Sequence, residues 1–167
     1  MRWMLSGIFL LVIGIAFQLG LLVYAMYALL GVILLSRFLS RAWIERLSAK
    51  RECNRLVAEI GDKVAVIVEV TNEGNMPVPW LLLEDSFPKE ALEQRPPRVK
   101  IDGRRIGLVQ VRGGTTQSFL YKITFLMRGY YQIGPLLMES GDLFGLHRRY
   151  KVATEPHFIL VYPKVIP

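Results

Sequence analysis

The chain has 167 residues, 52% of them hydrophobic, a formal charge of +7 and one cysteine, Cys53, which excludes an internal disulfide. The charge is unevenly placed: residues 1–51 hold six Lys/Arg against one acid, and the rest is nearly balanced, with fifteen against thirteen. A basic excess confined to one end, with no basic stripe across the remainder, argues against nucleic acid as a partner.

From Trp3 to Ser36 there is no charged side chain. A membrane span needs only about 20 apolar residues. Laid out as one helix, this run would be roughly 50 Å long against a hydrocarbon core of about 30 Å, which demands extreme tilt. A transmembrane helical hairpin over residues 1–39 removes the mismatch, with passes from Trp3 to Phe17 and from Leu21 to Leu39 and a turn at Gln18 and Gly20. One long tilted anchor is the other reading. Arg2 at one end and Arg37, Arg41 and Arg46 at the other place both ends on the cytoplasmic face. Trp3 and Trp43 would then share one interfacial belt, with Tyr24 and Tyr27 near the other. No small-residue cleavage site follows, so a cleaved signal peptide fits poorly. Residues 40–52 read as a basic juxtamembrane helix or linker: Leu39, Trp43 and Leu47 recur at i+4, facing the headgroups, while Arg41, Glu45 and Arg46 face away.

Residues 53–167 read as strands. In "KVAVIVEVTN", Val64, Val66, Val68 and Val70 point one way, and Ala65, Ile67, Glu69 and Thr71 the other. "WLLLEDSF" is bounded by prolines; "FLYKITF" places Phe119, Tyr121, Ile123 and Phe125 on one face; "HFILVYP" does the same with Phe158, Leu160 and Tyr162. Asp102-Gly103 predicts a hairpin turn, and "RGGTT" another turn. The polar stretch from Pro88 to Lys100 reads as a long connection with one helical turn at Lys89–Leu92. About six to eight short strands, turn-separated, predict an immunoglobulin-like antiparallel β-sandwich over residues 53–167.

Chemistry is hard to find. His147 and His157 lack Cys, Asp or Glu at ligand spacing, so no metal or other cofactor is expected. Glu84 and Asp85 are neighbours on a strand and point to opposite faces, which excludes an acid/base pair. No serine sits in a Gly-x-Ser-x-Gly elbow, and no glycine loop leads into a helix with Lys-Ser/Thr. The residues Arg98, Lys100, Arg104 and Arg105 form a basic face that reads either as a solvated hairpin tip or as an interaction surface for lipid or an envelope polymer.

The densest run of special backbone residues is "RGYYQIGPLLMESGDLFGLHRR". Arg128-Gly129 ends a strand, Gly134-Pro135 forces a bend, and the Asp142 carboxylate is suited to an Asx-type turn. Phe144 is expected to drop into the core, with Gly145 in the positive-φ position after it. The order Arg128, Gly129, Tyr131, Ile133, Gly134, Pro135, then Asp142, Phe144, Gly145, Leu146, then Val161, Tyr162, Pro163 resembles the segment preceding the named domain in the bacterial domain-of-unknown-function-58 family. The sequence departs from that pattern at Met127, where the family has arginine, and at Leu143, where it has proline.

The resemblance covers almost all of the 167 residues and implies a bacterial inner-membrane protein of unsettled role. Its associates would be a MoxR-type AAA+ ATPase or a transglutaminase-like membrane protein. The family's von Willebrand A-like domain normally follows the Val-Tyr-Pro run; the sequence stops at Pro167, so an amino-terminal fragment and a short member both fit. Together the readings lead to a non-enzymatic scaffold at the cytoplasmic face, with a lipid- or envelope-polymer-binding module as the alternative.

Overall fold

The computed structural model describes residues 2–17 and 20–164, without the side chains of Arg2, Trp3 and Lys89. Two apolar helices come first, α1 (Arg2–Ala16) and α2 (Gly20–Glu45). They run antiparallel in contact: a Cβ on Gly7 would touch Leu30, and one on Gly14 would touch Leu22 and Val23. α2 is long and apolar enough to cross a membrane; α1 is a shorter apolar helix. The expected turn residue Gln18 and the Trp3 side chain lie outside the described residues.

Among the described residues, eleven strands and one short helix follow: β1 (Leu47–Cys53), β2 (Val57–Glu59), β3 (Lys63–Asn72), β4 (Val78–Asp85), α3 (Lys89–Glu93), β5 (Val99–Gly103), β6 (Ile106–Val111), β7 (Thr116–Phe125), β8 (Gly129–Ile133), β9 (Leu136–Gly141), β10 (Arg148–Thr154) and β11 (His157–Tyr162). They form one sheet in the order β1-β3-β7-β5, a second in the order β10-β9-β4-β6, and a three-stranded ladder β2-β11-β8. All pairings are antiparallel except β2 with β11. The fold is a β-sandwich with an apolar helical lead.

Period-two alternation explains the core. Val64, Val66, Val68 and Val70 of β3 are buried, as are Tyr121, Ile123 and Phe125 of β7, and they meet Leu81, Leu83, Leu136 and Met138 from the other sheet. On β11 the expected face is reversed: Ile159 and Val161 are buried, while Phe158, Leu160 and Tyr162 face out, Phe158 stacking on Tyr130 at 5.0 Å. Alternation defines two faces but does not say which one the rest of the fold covers.

Three further expectations are corrected. Helical spacing stops at Glu45, and Leu47–Cys53 is a strand paired with β3 along its whole length. Trp43 is buried in the sandwich core, with Ile44 buried beside it, rather than lying in an interfacial belt or along headgroups; an i+4 apolar stripe specifies a buried face but not its partner. Asp102-Gly103 does not close a hairpin, because β5 pairs with β7 in one sheet and β6 with β4 in the other. The chain crosses between layers there.

β8, β9, β10 and β11 behave as one long hairpin folded in the middle. Ile133 pairs with His157 and Leu136 with Thr154, so the Gly134-Pro135 break in one arm lies opposite Glu155-Pro156 in the other. A proline has no N–H for a ladder, so breaks in both arms at one level let the hairpin pass from one ladder into another. Replacing the fully buried Ile123 with alanine is expected to lower stability by about 2–5 kcal/mol in urea unfolding of the detergent-solubilised chain. Replacing its exposed neighbour Lys122 should change stability by less than about 0.5 kcal/mol.

Candidate functional site

Two polar constellations stand out, one buried at the bend of the hairpin and one at its tip. At the bend, Arg51 of β1 donates from Nη1 to Asp85 Oδ1 at 2.6 Å and from Nη2 to the Glu155 carbonyl at 2.5 Å. Tyr121 of β7 donates its hydroxyl to Asp85 Oδ2 at 2.6 Å. The Arg51 and Asp85 side chains are 0% and 1% exposed. Two backbone hydrogen bonds, Ser86 N–H to the Pro135 carbonyl and Gly134 N–H to the Ser86 carbonyl, tie β4 to the same bend. Gly134 has φ 89, and a Cβ there would run into the Arg51 guanidinium, so this position takes glycine on both counts.

Burial, and then the Asp85 carboxylate, push the Tyr121 phenol well above its ordinary value. Cys53 lies nearby, its Sγ 3.9 Å from His157 Nδ1. Burial raises its pKa, against the smaller opposing pull of the Arg51 charge. The recess beside Asp85 and Tyr121 measures about 10 Å³, room for a water at most. Among the described residues no group of three or more His, Cys, Asp and Glu is placed to hold a metal ion. The arrangement is a structural clamp.

At the tip, the loop joining β9 to β10 is organised by Asp142. Its Oδ2 accepts from the backbone N–H of Phe144 at 2.9 Å and of Leu146 at 3.3 Å, and its Oδ1 from that of His147 at 2.6 Å. Burial alone would raise this carboxyl, but the three backbone donors and the Ser36 hydroxyl outweigh it and hold the pKa below the usual carboxylate range. Gly145 takes φ 70. His147 Nδ1 is hydrogen-bonded to Ser36 Oγ of α2 at 2.7 Å, so the loop is tied to the helix. A cleft of about 500 Å³ lies between α1, α2 and this loop.

The expected motif residues divide accordingly. Gly134 and Pro135 form the bend, and Asp142 and Gly145 shape the tip. Tyr131 is buried and donates to the Met127 carbonyl four residues upstream at 2.8 Å, packing on Phe125 with ring centroids 5.0 Å apart. Gly129 opens β8, whereas Arg128, Tyr162 and Pro163 are exposed. Phe144 does not enter the core: it is 58% exposed, flanked by Leu143 at 67% and Leu146 at 52%. The loop that Asp142 organises leaves the Phe144 side chain outside the core.

Of the four residues of the basic face, Arg98 is exposed and Arg105 half-buried. Arg98 precedes β5 and donates to Gln94 at 2.5 Å, while Arg105 lies at the layer crossing and donates to the Asp85 carbonyl at 3.4 Å. Lys100 and Arg104 are exposed. Sequence reading missed Arg51 and Tyr121, which are 34 and 36 residues from Asp85. Arg51 falls in the run that reads as a basic juxtamembrane helix or linker, and Tyr121 is legible only as one of a core-facing set.

No protein-family model matches the chain, and no curated protein matches it. Solved structures do. Residues amounting to 71% of the chain superpose on trypsin-activated alpha-2-macroglobulin from Escherichia coli with TM-score 0.50 and 16% identity, spanning 7% of that protein. A CARDB domain from Pyrococcus furiosus matches 71% of the chain, and 94% of its own length, at TM-score 0.45 and 15% identity. At 16% identity the first of these likenesses bears on the fold alone.

Two outcomes are expected. Asp85→Ala strands the buried guanidinium and should cost about 3–5 kcal/mol in thermal or urea unfolding; Arg51→Met with Asp85→Leu and Tyr121→Phe should recover most of that loss. Because the Asp142 pKa is depressed on folding, its contribution is present above the unfolded value of about 3.9 and is lost as pH falls through the folded value. Asp142→Asn should therefore flatten the acid limb of the stability profile. It should also speed hydrogen exchange at the amides of Phe144, Leu146 and His147 at neutral pH.

Proposed function

We infer that the chain is a non-enzymatic, membrane-anchored scaffold whose two apolar helices form a hairpin in a bacterial inner membrane and hold the sandwich at the cytoplasmic face. The observation that carries this reading is the joint between helix and sheet. A single residue, Arg46, separates α2 from β1. Trp43, Ile44 and Leu47 on either side are buried at 6%, 6% and 1% exposure. The Arg46 carbonyl accepts from the Glu73 N–H at 2.9 Å, and Lys151 Nζ donates to the Leu47 carbonyl at 3.0 Å. A sandwich fused to its helix in this way has a set height and orientation, unlike one on a flexible tether.

Such a device suits a protein that positions partners beside a membrane. The resemblance to the domain-of-unknown-function-58 family supports a MoxR-type AAA+ ATPase or a transglutaminase-like membrane protein as the partner. The basic residues Arg37, Arg41 and Arg46 beyond the uncharged run support cytoplasmic placement.

Fusions at residue 167 test the placement. Green fluorescent protein fused there should fluoresce, alkaline phosphatase should stay inactive, and the chain should resist carbonate extraction yet dissolve in detergent. An active phosphatase fusion would reverse the orientation, and recovery in the aqueous fraction would remove the anchor altogether.

A further inference from the structure

The tip loop carries apolar side chains in the one place where a water-facing loop has least reason to keep them. Leu143, Phe144 and Leu146 are 67%, 58% and 52% exposed, and their outward display is built rather than incidental. Asp142 holds the backbone from beneath through the amides of Phe144, Leu146 and His147, and Gly145 supplies the left-handed residue that completes the turn. Other apolar side chains of the sandwich, such as Leu108, Leu120 and Val152, are exposed too; three clustered on one turn-built tip beside the apolar helices mark a contact surface.

What lies beside it identifies the contact. The tip is tied to α2 at Ser36, the last residue of the uncharged run. Leu146 and His147 line the same cleft as Met4, Leu10, Leu29 and Ile33 of the two apolar helices. Around the tip stand Arg37, Arg148 and Arg149, all exposed, Arg148 also lying 3.7 Å from Glu139. Apolar side chains at the level of the helix ends with arginines beside them match the order of a bilayer surface, acyl chains below and phosphates above. The helices leave room for such a contact: α1 has 15 residues, about 22 Å of helix against a hydrocarbon core of about 30 Å.

Resting on the hairpin-in-membrane reading above, we propose that the loop from Leu143 to Leu146 inserts into the headgroup–acyl boundary of an anionic bilayer as a third anchor point beside α1 and α2. Two helices fix the domain's depth; a third point beside them would limit its tilt. The scaffold would then be held against rocking as well as against release.

The test uses the full chain, Cys53→Ser, in vesicles of phosphatidylcholine and phosphatidylglycerol, with an environment-sensitive NBD label on Phe144→Cys. The exposed Phe144 side chain has no core role to lose. The control label is on Lys63→Cys, exposed at the end of β3 remote from the Asn72–Leu47 pair beside the helix. The Phe144 label should emit at shorter wavelength than the Lys63 label, lose intensity to lipids spin-labelled high on the acyl chain, and resist aqueous iodide. The Lys63 label should behave oppositely on all three counts. A chain embedded in the vesicles whose Phe144 label is open to iodide would overturn the insertion while leaving the anchor intact. A label shielded from iodide but untouched by spin-labelled lipid would mean that protein, such as a second copy, covers the tip, and would overturn it equally. Failure of the chain to enter the vesicles at all would instead reject the underlying membrane reading.

Discussion

Where the strand layers converge, a guanidinium and a carboxylate sit 2.6 Å apart with almost no solvent contact. Arg51 comes from the first sheet, Asp85 from the end of β4 in the second, and the Glu155 carbonyl from the bend leading into the third ladder. Tyr121 closes the remaining carboxylate oxygen. Taking two charges out of water costs several kcal/mol per ion, so the pair is weak as a source of net stability. Its effect is one of arrangement: any packing of the layers that separates these groups leaves a bare buried charge. The glycine at 134 follows from that requirement, since a Cβ there would run into the guanidinium.

The long hairpin links clamp and tip. Its upper arms, β8 and β11, belong to one ladder, and its lower arms, β9 and β10, to another. The lower arms run alongside the last turns of α2, and the Asp142 loop reaches Ser36. With β1 emerging from α2 after a single residue, the sandwich is fastened to the helix at two levels, through Leu47 above and His147 below. Two fastenings make the helix and the sandwich one mechanical piece, the property that the scaffold reading needs.

Much of this was legible in the residue order. The uncharged run, the valine alternation of β3 and the inward Tyr121, Ile123 and Phe125 of β7 are local patterns with one physical reading each. Gly134-Pro135 and Asp142 were legible as backbone devices because bends and Asx turns are built from near neighbours. Phe144 was misread because an aromatic residue among glycines looks like an anchor, whereas the loop that Asp142 organises leaves it exposed. The face of β11 was misread because both of its faces are apolar, and only the covering ladder separates them.

By itself, then, the sequence determined the division into an apolar lead and a strand-rich remainder, and the turns that punctuate the latter, because hydrophobic period and backbone permissiveness act over a few residues. Tertiary structure alone decided that Arg51, Asp85, Tyr121 and Glu155 meet, that Asp102-Gly103 crosses between layers, and that the apolar stripe of α2 around Trp43 turns to protein. Those outcomes join residues dozens of positions apart. A charge buried far along the chain from its partner carries no local mark until the layers close around both.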